Sequence, residues 1–293
     1  MSFWIVILLG IIQGATEFLP VSSSGHLVLF YSIFGITQNT LLFSVLLHIA
    51  TLTAVLYVYR KDVIRLVKNP FCKTNCLIIT ATLPTVILAL LLKNVVEDSF
   101  GGASLITCFF ITGIILLISD YISRKRSKKE TLANNFLTQN NSSSKGRGFI
   151  STQTFSSPYI TNIRISYKQA IIVGICQGFA CFPGISRSGS TIASGLIFGI
   201  DKKESADFSF LLSIPIIFAS LILEGVEFVK HPSLMPFSII EILFGCFFAF
   251  TSGLLCVHLL LNLVKKQKLV WFSLYLFILG IFLILNKYLL FWF

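Results

Sequence analysis

The chain has 293 residues, of which 55% are hydrophobic and only 12% are charged. Because an average soluble domain carries about 25% charged residues, this composition excludes an ordinary soluble protein. The long apolar runs predict an integral membrane protein that crosses the bilayer as helices, since a helix satisfies its own backbone hydrogen bonds. The net charge of +11 does not indicate a nucleic-acid partner, because the basic residues lie in connecting segments and no nucleic-acid-binding module is visible.

The apolar segments differ in continuity. Two stretches, 3–36 and 168–200, are interrupted near their middle by Pro, Gly and Ser, which is not typical of a simple span. Residues 123–167 are mostly polar, and we predict a cytoplasmic linker there that joins a first half, 1–122, to a second half, 168–293. The remaining apolar segments have the length of full spans, near 41–59, 77–93, 104–122, 206–229, 238–262 and 270–290.

The basic residues between the spans predict the orientation. Their clusters begin at Arg60, Arg124, Lys202 and Lys265. If both interrupted stretches return to the side from which they entered, all of these clusters lie on one side, which the positive-inside rule makes cytoplasmic. A full crossing by either stretch would divide them between two sides. We therefore predict six transmembrane helices, two re-entrant helical hairpins, and both termini outside.

The two halves are related in sequence. A shift of 164 positions places GIIQGATEFLPVSSSGHL, which begins at Gly10, on GICQGFACFPGISRSGST, which begins at Gly174, without gaps. Three crossings separate the hairpins, so the two copies enter the membrane from opposite faces. The predicted fold is an all-α integral membrane protein with an inverted-topology repeat, a class that places its binding site where interrupted helices meet at the midplane.

Each hairpin is predicted to contain a helix that ends near a proline, a Ser-rich turn, and a second helix. Ser22 and Ser186 are candidates for the N-caps of the two second helices. Two helix N-termini directed at one cavity would present free N–H groups and positive dipole ends, which favour an anion such as phosphate. The alternative is that Ser and Gly only allow close helix packing in lipid.

The positions at which the two copies differ carry the reactive side chains. Glu17, Ser23 and His26 stand in the first copy, and Arg187 occupies the position of Ser23 in the second. A charge at membrane depth costs about 2.5–3.5 kcal/mol, so Glu17 and Arg187 need partners and a role. We predict that these four residues are catalytic, with the guanidinium group clamping phosphate oxygens.

Two local pairs indicate more specific chemistry. Gln13 and Glu17 are four residues apart on one helix face, where their oxygens could bind a divalent cation, Mg²⁺ or Ca²⁺; alternatively, Gln13 only hydrogen-bonds across helices. His26 follows Ser23 by three residues, and a Ser–His pair can activate a nucleophile, although a water attacking directly would need the same neighbourhood. No role is assigned to the other histidines, His48, His231 and His258.

The segments QGATEFLPVSSSGH and FPGISRSGSTI resemble the two signature regions of the undecaprenyl-diphosphate phosphatase family, membrane enzymes associated with bacitracin resistance. Residues 206–215 also resemble the helix that follows in that family. Gln13 is the less acidic of the family's two options, and the linker is longer and more polar than the family's. The matching residues are Gln13, Glu17, Ser22, Ser23 and His26 in the first region and Pro183, Gly184, Ser186, Arg187, Ser188 and Thr191 in the second.

The resemblance implies hydrolysis of undecaprenyl diphosphate to undecaprenyl phosphate and inorganic phosphate, which recycles the carrier lipid for peptidoglycan synthesis. It implies a bacterial plasma (inner) membrane enzyme with a site open to the outer side and a divalent cation, and it leaves open whether two copies form a homodimer. The alternatives are a flippase or transporter of a polyprenyl phosphate lipid, which the repeat would suit, and a structural membrane protein, which would leave the buried charges unexplained. Residues predicted to bind the substrate are Ser22, Gly184, Ser186, Ser188 and Thr191.

Overall fold

The computed structural model describes residues 3–36, 41–99, 104–141, 163–230, 237–265 and 269–286. Within these ranges the chain is all-α, as predicted, and no strand occurs. The helices are α1 (Phe3–Phe18), α2 (Ser23–Ile33), α3 (Leu41–Val58), α4 (Arg60–Lys68), α5 (Lys73–Leu91), α6 (Lys93–Ser99), α7 (Leu105–Asn141), α8 (Tyr167–Gly178), α9 (Arg187–Ile197), α10 (Lys202–Lys230), α11 (Ile239–Lys265) and α12 (Val270–Leu285), with a 3₁₀ turn at Phe179–Cys181.

Long apolar helices confirm a multi-pass membrane protein. In the described ranges, four segments are long and apolar enough to cross a membrane: Lys73–Leu91, Leu105–Lys129, Lys202–Leu223 and Ile239–Leu263. α3 qualifies as a fifth only together with α4, from which it is bent by 82°. α12 has 16 residues, fewer than the roughly 20 of a straight crossing, and the predicted end of that span, 287–290, lies outside the described residues. Four of the six predicted spans are confirmed.

The predicted linker begins inside a helix. α7 continues to Asn141, so residues 123–141 are helical rather than irregular. The first turns of this extension are rich in Arg, Lys, Glu, Leu and Ala, which have high helix propensity. Arg126 also donates hydrogen bonds of 3.0 and 3.1 Å to the last carbonyl groups of α9, which holds the extension against the second half. Residues 142–162 of the linker lie outside the described residues, and the division into two halves stays a prediction.

Each interrupted stretch packs its first helix against a long helix of the other half: α1 lies along α11, and α8 lies along α5. Close approaches occur at Gly10 and Gly174, where a Cβ would overlap the backbone carbonyl group of Gly245 and of Ala81, respectively. The shift of 164 positions relates Gly10 to Gly174 and also Ala81 to Gly245. Positions related by the sequence repeat therefore make equivalent close contacts.

The two interrupted stretches meet at their turns. The Gly184 N–H donates a hydrogen bond to Ser22 Oγ (3.1 Å), and Ser188 Oγ donates one to the Leu19 carbonyl (3.1 Å). Phe18, at the end of α1, is buried beside this contact in the largest apolar cluster. Two turns that are far apart in the chain are therefore held together inside the helix bundle.

Candidate active site

The two helix caps predicted from the sequence are present. Ser22 precedes α2 and Ser186 precedes α9, and each accepts a hydrogen bond from the backbone N–H three residues later, at 3.3 and 3.0 Å. The first N–H groups of a helix lack intrahelical acceptors, and the helix dipole is positive there. The first residues of the two helices are Ser23 and Arg187, so equivalent positions in the two copies present a hydroxyl and a guanidinium group at anion-attracting ends.

Glu17 is the centre of the cluster. Its carboxylate is buried, and Oε1 pairs with Nη2 of Arg187 from the other half of the chain. Oε2 accepts hydrogen bonds from Ser23 Oγ (2.6 Å) and Gln13 Nε2 (3.0 Å). The ion pair compensates both charges, which makes a carboxylate and a guanidinium group tolerable in an apolar interior. Three of the four predicted catalytic residues are thus in direct contact.

Two buried polar atoms of this cluster have no hydrogen-bond partner among the described residues, Arg187 Nη1 and Gln13 Oε1. An unsatisfied buried polar group costs about 1–3 kcal/mol, and more when it is charged. Such atoms are rare in folded proteins and call for an explanation. The guanidinium nitrogen is a donor suited to anionic oxygens, and the amide oxygen is an acceptor.

His26 makes different contacts from those expected. Nδ1 donates a hydrogen bond to the Ser22 carbonyl (2.7 Å), and Nε2 lies 2.7 Å from the hydroxyl group of Tyr275. Because a carbonyl only accepts, Nδ1 carries a proton, and Nε2 of the neutral ring accepts from the tyrosine. Both ring nitrogens are engaged, while the Ser23 hydroxyl is bonded to Glu17. The expected Ser23–His26 contact is therefore not made, because the imidazole turns back to the cap of its own helix.

His48, to which the sequence pattern assigned no role, lies at the site. It is on α3, where Nδ1 donates to the Ser44 carbonyl (2.7 Å) and Nε2 lies 3.6 Å from Glu17 Oε2. This distance is too long for a hydrogen bond but short enough for an electrostatic contact. No charged residue is near His48 in the chain, so only the packing of α3 brings it to the carboxylate.

Thr112 positions the turn that carries the guanidinium group. It is buried on α7, which packs against α9. Its hydroxyl accepts a hydrogen bond from the Ser186 N–H (3.1 Å) and donates to one of two carbonyls, Gly184 (3.1 Å) and Cys108 (3.0 Å). A single Thr in an apolar span carries no sequence signal of this role, and Tyr275 on α12 carries none either.

A single family model covers both turns. A family model described as "Bacitracin resistance protein BacA" matches residues 6–282. The chain belongs to the BacA family. This confirms the family resemblance that the two motifs indicate. The match extends from α1 into α12, so it includes every residue of the Glu17 cluster.

Curated proteins similar to this chain match it along nearly their whole length. A protein named undecaprenyl-diphosphatase from Carboxydothermus hydrogenoformans is 36% identical, with 96% of each chain covered. One of the same name from Christiangramia forsetii is 36% identical over 98% of this chain and 99% of its own. Undecaprenyl-diphosphatase 4 from Bacillus thuringiensis is 35% identical, with 96% of each chain covered.

The residues predicted to bind substrate in this BacA-family site are bonded within the protein. Ser22 and Ser186 cap their helices, and Ser22 also accepts the Gly184 N–H. Ser188 donates to the last turn of the first interrupted stretch, and Thr191 lies 2.6 Å from a hydroxyl of α10. These contacts shape and join the two turns. Direct contact of these residues with a substrate stays a prediction.

Gln13 and Glu17 form the predicted cation site on one face of α1. No group of three or more His, Cys, Asp or Glu residues that could hold a metal ion occurs in the part of the chain that the structure describes. Mg²⁺ is commonly bound by one or two carboxylates together with substrate phosphates and water. With its buried, unpaired amide oxygen, this pair fits a cation shared with a phosphate ligand rather than one enclosed by the protein.

Proposed function

We propose that the protein hydrolyses undecaprenyl diphosphate to undecaprenyl phosphate and inorganic phosphate. Membership of the BacA family and relatives named undecaprenyl-diphosphatase support this reaction. The product is the carrier lipid for peptidoglycan and other cell-wall polymers, and its recycling accounts for the bacitracin resistance in the family's name. A polar cluster inside a helical membrane protein suits a substrate with a phosphorylated head and a lipid tail.

The observation that carries this proposal is the surroundings of Arg187. Its Nη1 is buried without a partner among the described residues, while Nη2 is paired with Glu17. The guanidinium group stands at the N-terminus of α9, and the same carboxylate binds Ser23 at the N-terminus of α2. Donors for phosphate oxygens and a hydroxyl nucleophile are thus gathered around one carboxylate, which is what phosphoryl transfer requires.

Ser23 is the proposed nucleophile. Its hydroxyl donates to Glu17 Oε2 at 2.6 Å, so the carboxylate takes the proton as Oγ attacks the terminal phosphorus atom. The new Oγ–P bond replaces the anhydride P–O bond, and undecaprenyl phosphate leaves with the electron pair. Arg187 and the free N–H groups of the two helix ends stabilise the phosphoryl oxygens. Water then attacks the phosphoserine, Glu17 returns the proton to Oγ, and inorganic phosphate leaves.

The attacking group in this mechanism has an alternative, and a divalent cation is proposed beside it. Water attacking the phosphorus atom directly would use Glu17 as its base and leave Ser23 without a covalent role. Gln13 and Glu17 would hold the proposed divalent cation, Mg²⁺ or Ca²⁺, which when bound neutralises charge on the phosphate oxygens.

We further propose that α1–α2 and α8–α9 are re-entrant hairpins of an inverted-topology repeat in the bacterial plasma (inner) membrane, with the site open to the outer side and the linker cytoplasmic. The four helices have 16, 11, 12 and 11 residues, all short of a full crossing. The equivalent glycine contacts at Gly10 and Gly174 support a repeat with exchanged helices. Such repeats are also common in transporters, but the names of the relatives favour hydrolysis over the alternative, a lipid flippase.

Single cysteines in a cysteine-free background test this topology. In intact cells, an impermeant thiol reagent is expected to label a cysteine at position 98 or 233 but not one at position 140, because the positive-inside rule places the linker in the cytoplasm. Position 98 lies in α6 and position 140 in α7, and position 233 lies outside the described residues. Labelling at 140, or protection at 98, would contradict the two-hairpin topology.

Phosphate release by the purified protein in detergent tests the proposed reaction. The wild-type protein is expected to release inorganic phosphate from undecaprenyl diphosphate. A flippase would bind the same lipid without cleaving it, so binding without release would favour the alternative. If the protein neither bound the lipid nor released phosphate, both functions would be contradicted.

Arg187→Lys is expected to lower phosphate release at least about tenfold. Lysine keeps the charge but loses the planar group that pairs with Glu17 and a phosphate oxygen at the same time. Arg164→Lys, at an exposed position, is the matched control and should leave turnover unchanged. Near-wild-type turnover by Arg187→Lys would remove this guanidinium group from the site.

Tyr275→Phe is expected to lower kcat by up to about tenfold with little change in KM, because it removes one hydrogen bond to His26. The aromatic stack would remain, since the two ring centroids lie 5.7 Å apart, and the imidazole also makes an edge contact with Phe109. Tyr167→Phe, at an exposed position of α8, is the control. An unchanged kcat would mean that the tyrosine hydroxyl does not position His26 for the reaction.

A further inference from the structure

α4 lies across the end of α3 instead of continuing it. The two helices meet at Tyr59 at an angle of 82°. α3 is an apolar helix of 18 residues, near the lower limit for a membrane-crossing segment, and it meets the criteria for a span only together with α4. A helix that leaves a crossing segment at nearly a right angle runs close to the plane of the membrane surface.

The apolar residues of α4 occupy two faces. Val63 and Leu66 are partly buried and pack on the core of the protein. Ile64 and Val67, three residues apart and therefore neighbours on the helix, are 54% and 74% exposed. Phe71 follows the helix and is 93% exposed. The core of the protein covers the face with Val63 and Leu66. The face with Ile64 and Val67, together with Phe71, is left uncovered.

The remaining side of α4 is basic. Lys61, Arg65 and Lys68 are spaced four and three apart, so they form one stripe along the helix. Together with Arg60 and the single acid Asp62, they give the helix a net charge of +3. A cleft of about 580 Å³ opens beside this stripe, with Arg65 and Lys68 among the residues that line it.

We propose that α4 and Phe71 form a binding surface for the headgroups of anionic phospholipids. Amphipathic helices with basic and large apolar residues lie in the interface, with the apolar face at the boundary between headgroups and acyl chains. Ile64, Val67 and Phe71 supply the apolar contact, and the basic stripe meets the negative surface potential of the leaflet. A second copy of the chain would bring the same positive charge to this surface, so charge complementarity favours lipid. The surface lies outside the Glu17 cluster and does not depend on the proposed reaction.

Native mass spectrometry of the full-length protein, titrated with phosphatidylglycerol or phosphatidylcholine, tests this proposal. The triple variant Lys61→Gln, Arg65→Gln, Lys68→Gln is expected to weaken phosphatidylglycerol binding at least about tenfold, because each basic side chain contributes to attraction by the anionic surface. Phosphatidylcholine binding should not change. The matched control replaces three exposed lysines of α7 by Gln, Lys125, Lys128 and Lys129. Equal phosphatidylglycerol affinity of the two triple variants would overturn the proposal.

A second measurement tests the apolar contact without removing charge. Val67→Trp is expected to show tryptophan quenching above that of the wild-type protein, which has three tryptophans, in vesicles of phosphatidylglycerol with brominated acyl chains. The added quenching should decrease at high salt, which screens surface charge. No added quenching would overturn the proposal. So would a change of oligomeric state in the α4 triple variant at constant lipid affinity, which would identify a second copy as the partner.

Discussion

Glu17→Gln is expected to lower phosphate release from undecaprenyl diphosphate by about 10²–10⁴-fold, the range for loss of a general base. The amide cannot take the proton of Ser23, which now donates to the carboxylate at 2.6 Å. It also removes the counter-charge of Arg187, so the guanidinium group is less firmly held. Initial rates of phosphate release at saturating lipid and cation, with protein of verified monodispersity, measure the effect.

Stability must be separated from chemistry here, because breaking a buried ion pair on one side costs about 3–5 kcal/mol. The double variant Glu17→Gln, Arg187→Gln removes both charges, so it should recover thermal stability while remaining inactive. Gln13→Glu is the opposite control. It adds a carboxylate beside the site and should be tolerated, with a stronger dependence on divalent cations. A Glu17→Gln protein with more than a tenth of wild-type activity would contradict the assigned role.

Ser23→Ala is expected to lower turnover at least about a thousandfold, and Ser24→Ala by no more than about threefold. Ser23 is the first residue of α2 and contacts the Glu17 carboxylate. Ser24 points to the capping Ser22, with 3.4 Å between their hydroxyl oxygens, and has an identical counterpart in Ser188. Ser23 is thus placed for the reaction, and Ser24 supports the turn. The same assay of phosphate release compares the rates of the two variants.

Double variants identify which group works with the nucleophile. If Ser23 and Glu17 act as one unit, the variant that combines Ser23→Ala with Glu17→Gln should be little worse than the more damaging single change. His26 contacts Tyr275 rather than Ser23. The loss of turnover caused by His26→Ala should therefore add to the loss caused by Ser23→Ala. Substantial turnover by Ser23→Ala would exclude the covalent route and leave attack by water.

Local patterns in the chain are sufficient to predict the protein class, four of the spans, and the two caps. Length and apolar content belong to a single segment, so the crossing helices can be recognised without any knowledge of packing. Ser22 and Ser186 cap their helices as predicted because capping involves a backbone group only three residues away. Gln13 and Glu17 are in contact for a similar reason, since one helical turn separates them.

The same local reasoning fails where each of two neighbouring side chains has another polar partner within reach. Ser23 and His26 are three residues apart on a helix, which favours a contact between them. In the structure the imidazole bonds to the Ser22 carbonyl at one nitrogen and to Tyr275 at the other, while the serine hydroxyl reaches Glu17 across the turn. Spacing indicates which side chains share a helix face, but it does not decide which of several polar atoms each one meets.

Contacts between distant segments depend on how the helices pack. Glu17 pairs with Arg187, which is 170 positions away, and His48 and Tyr275 reach the cluster from α3 and α12. A hydrogen bond requires its heavy atoms within about 3 Å, and no pattern with a period of a few residues encodes such a distance between separate helices. That distance is set by close packing such as that at Gly10 and Gly174, and by the hydrogen bond that joins the two turns.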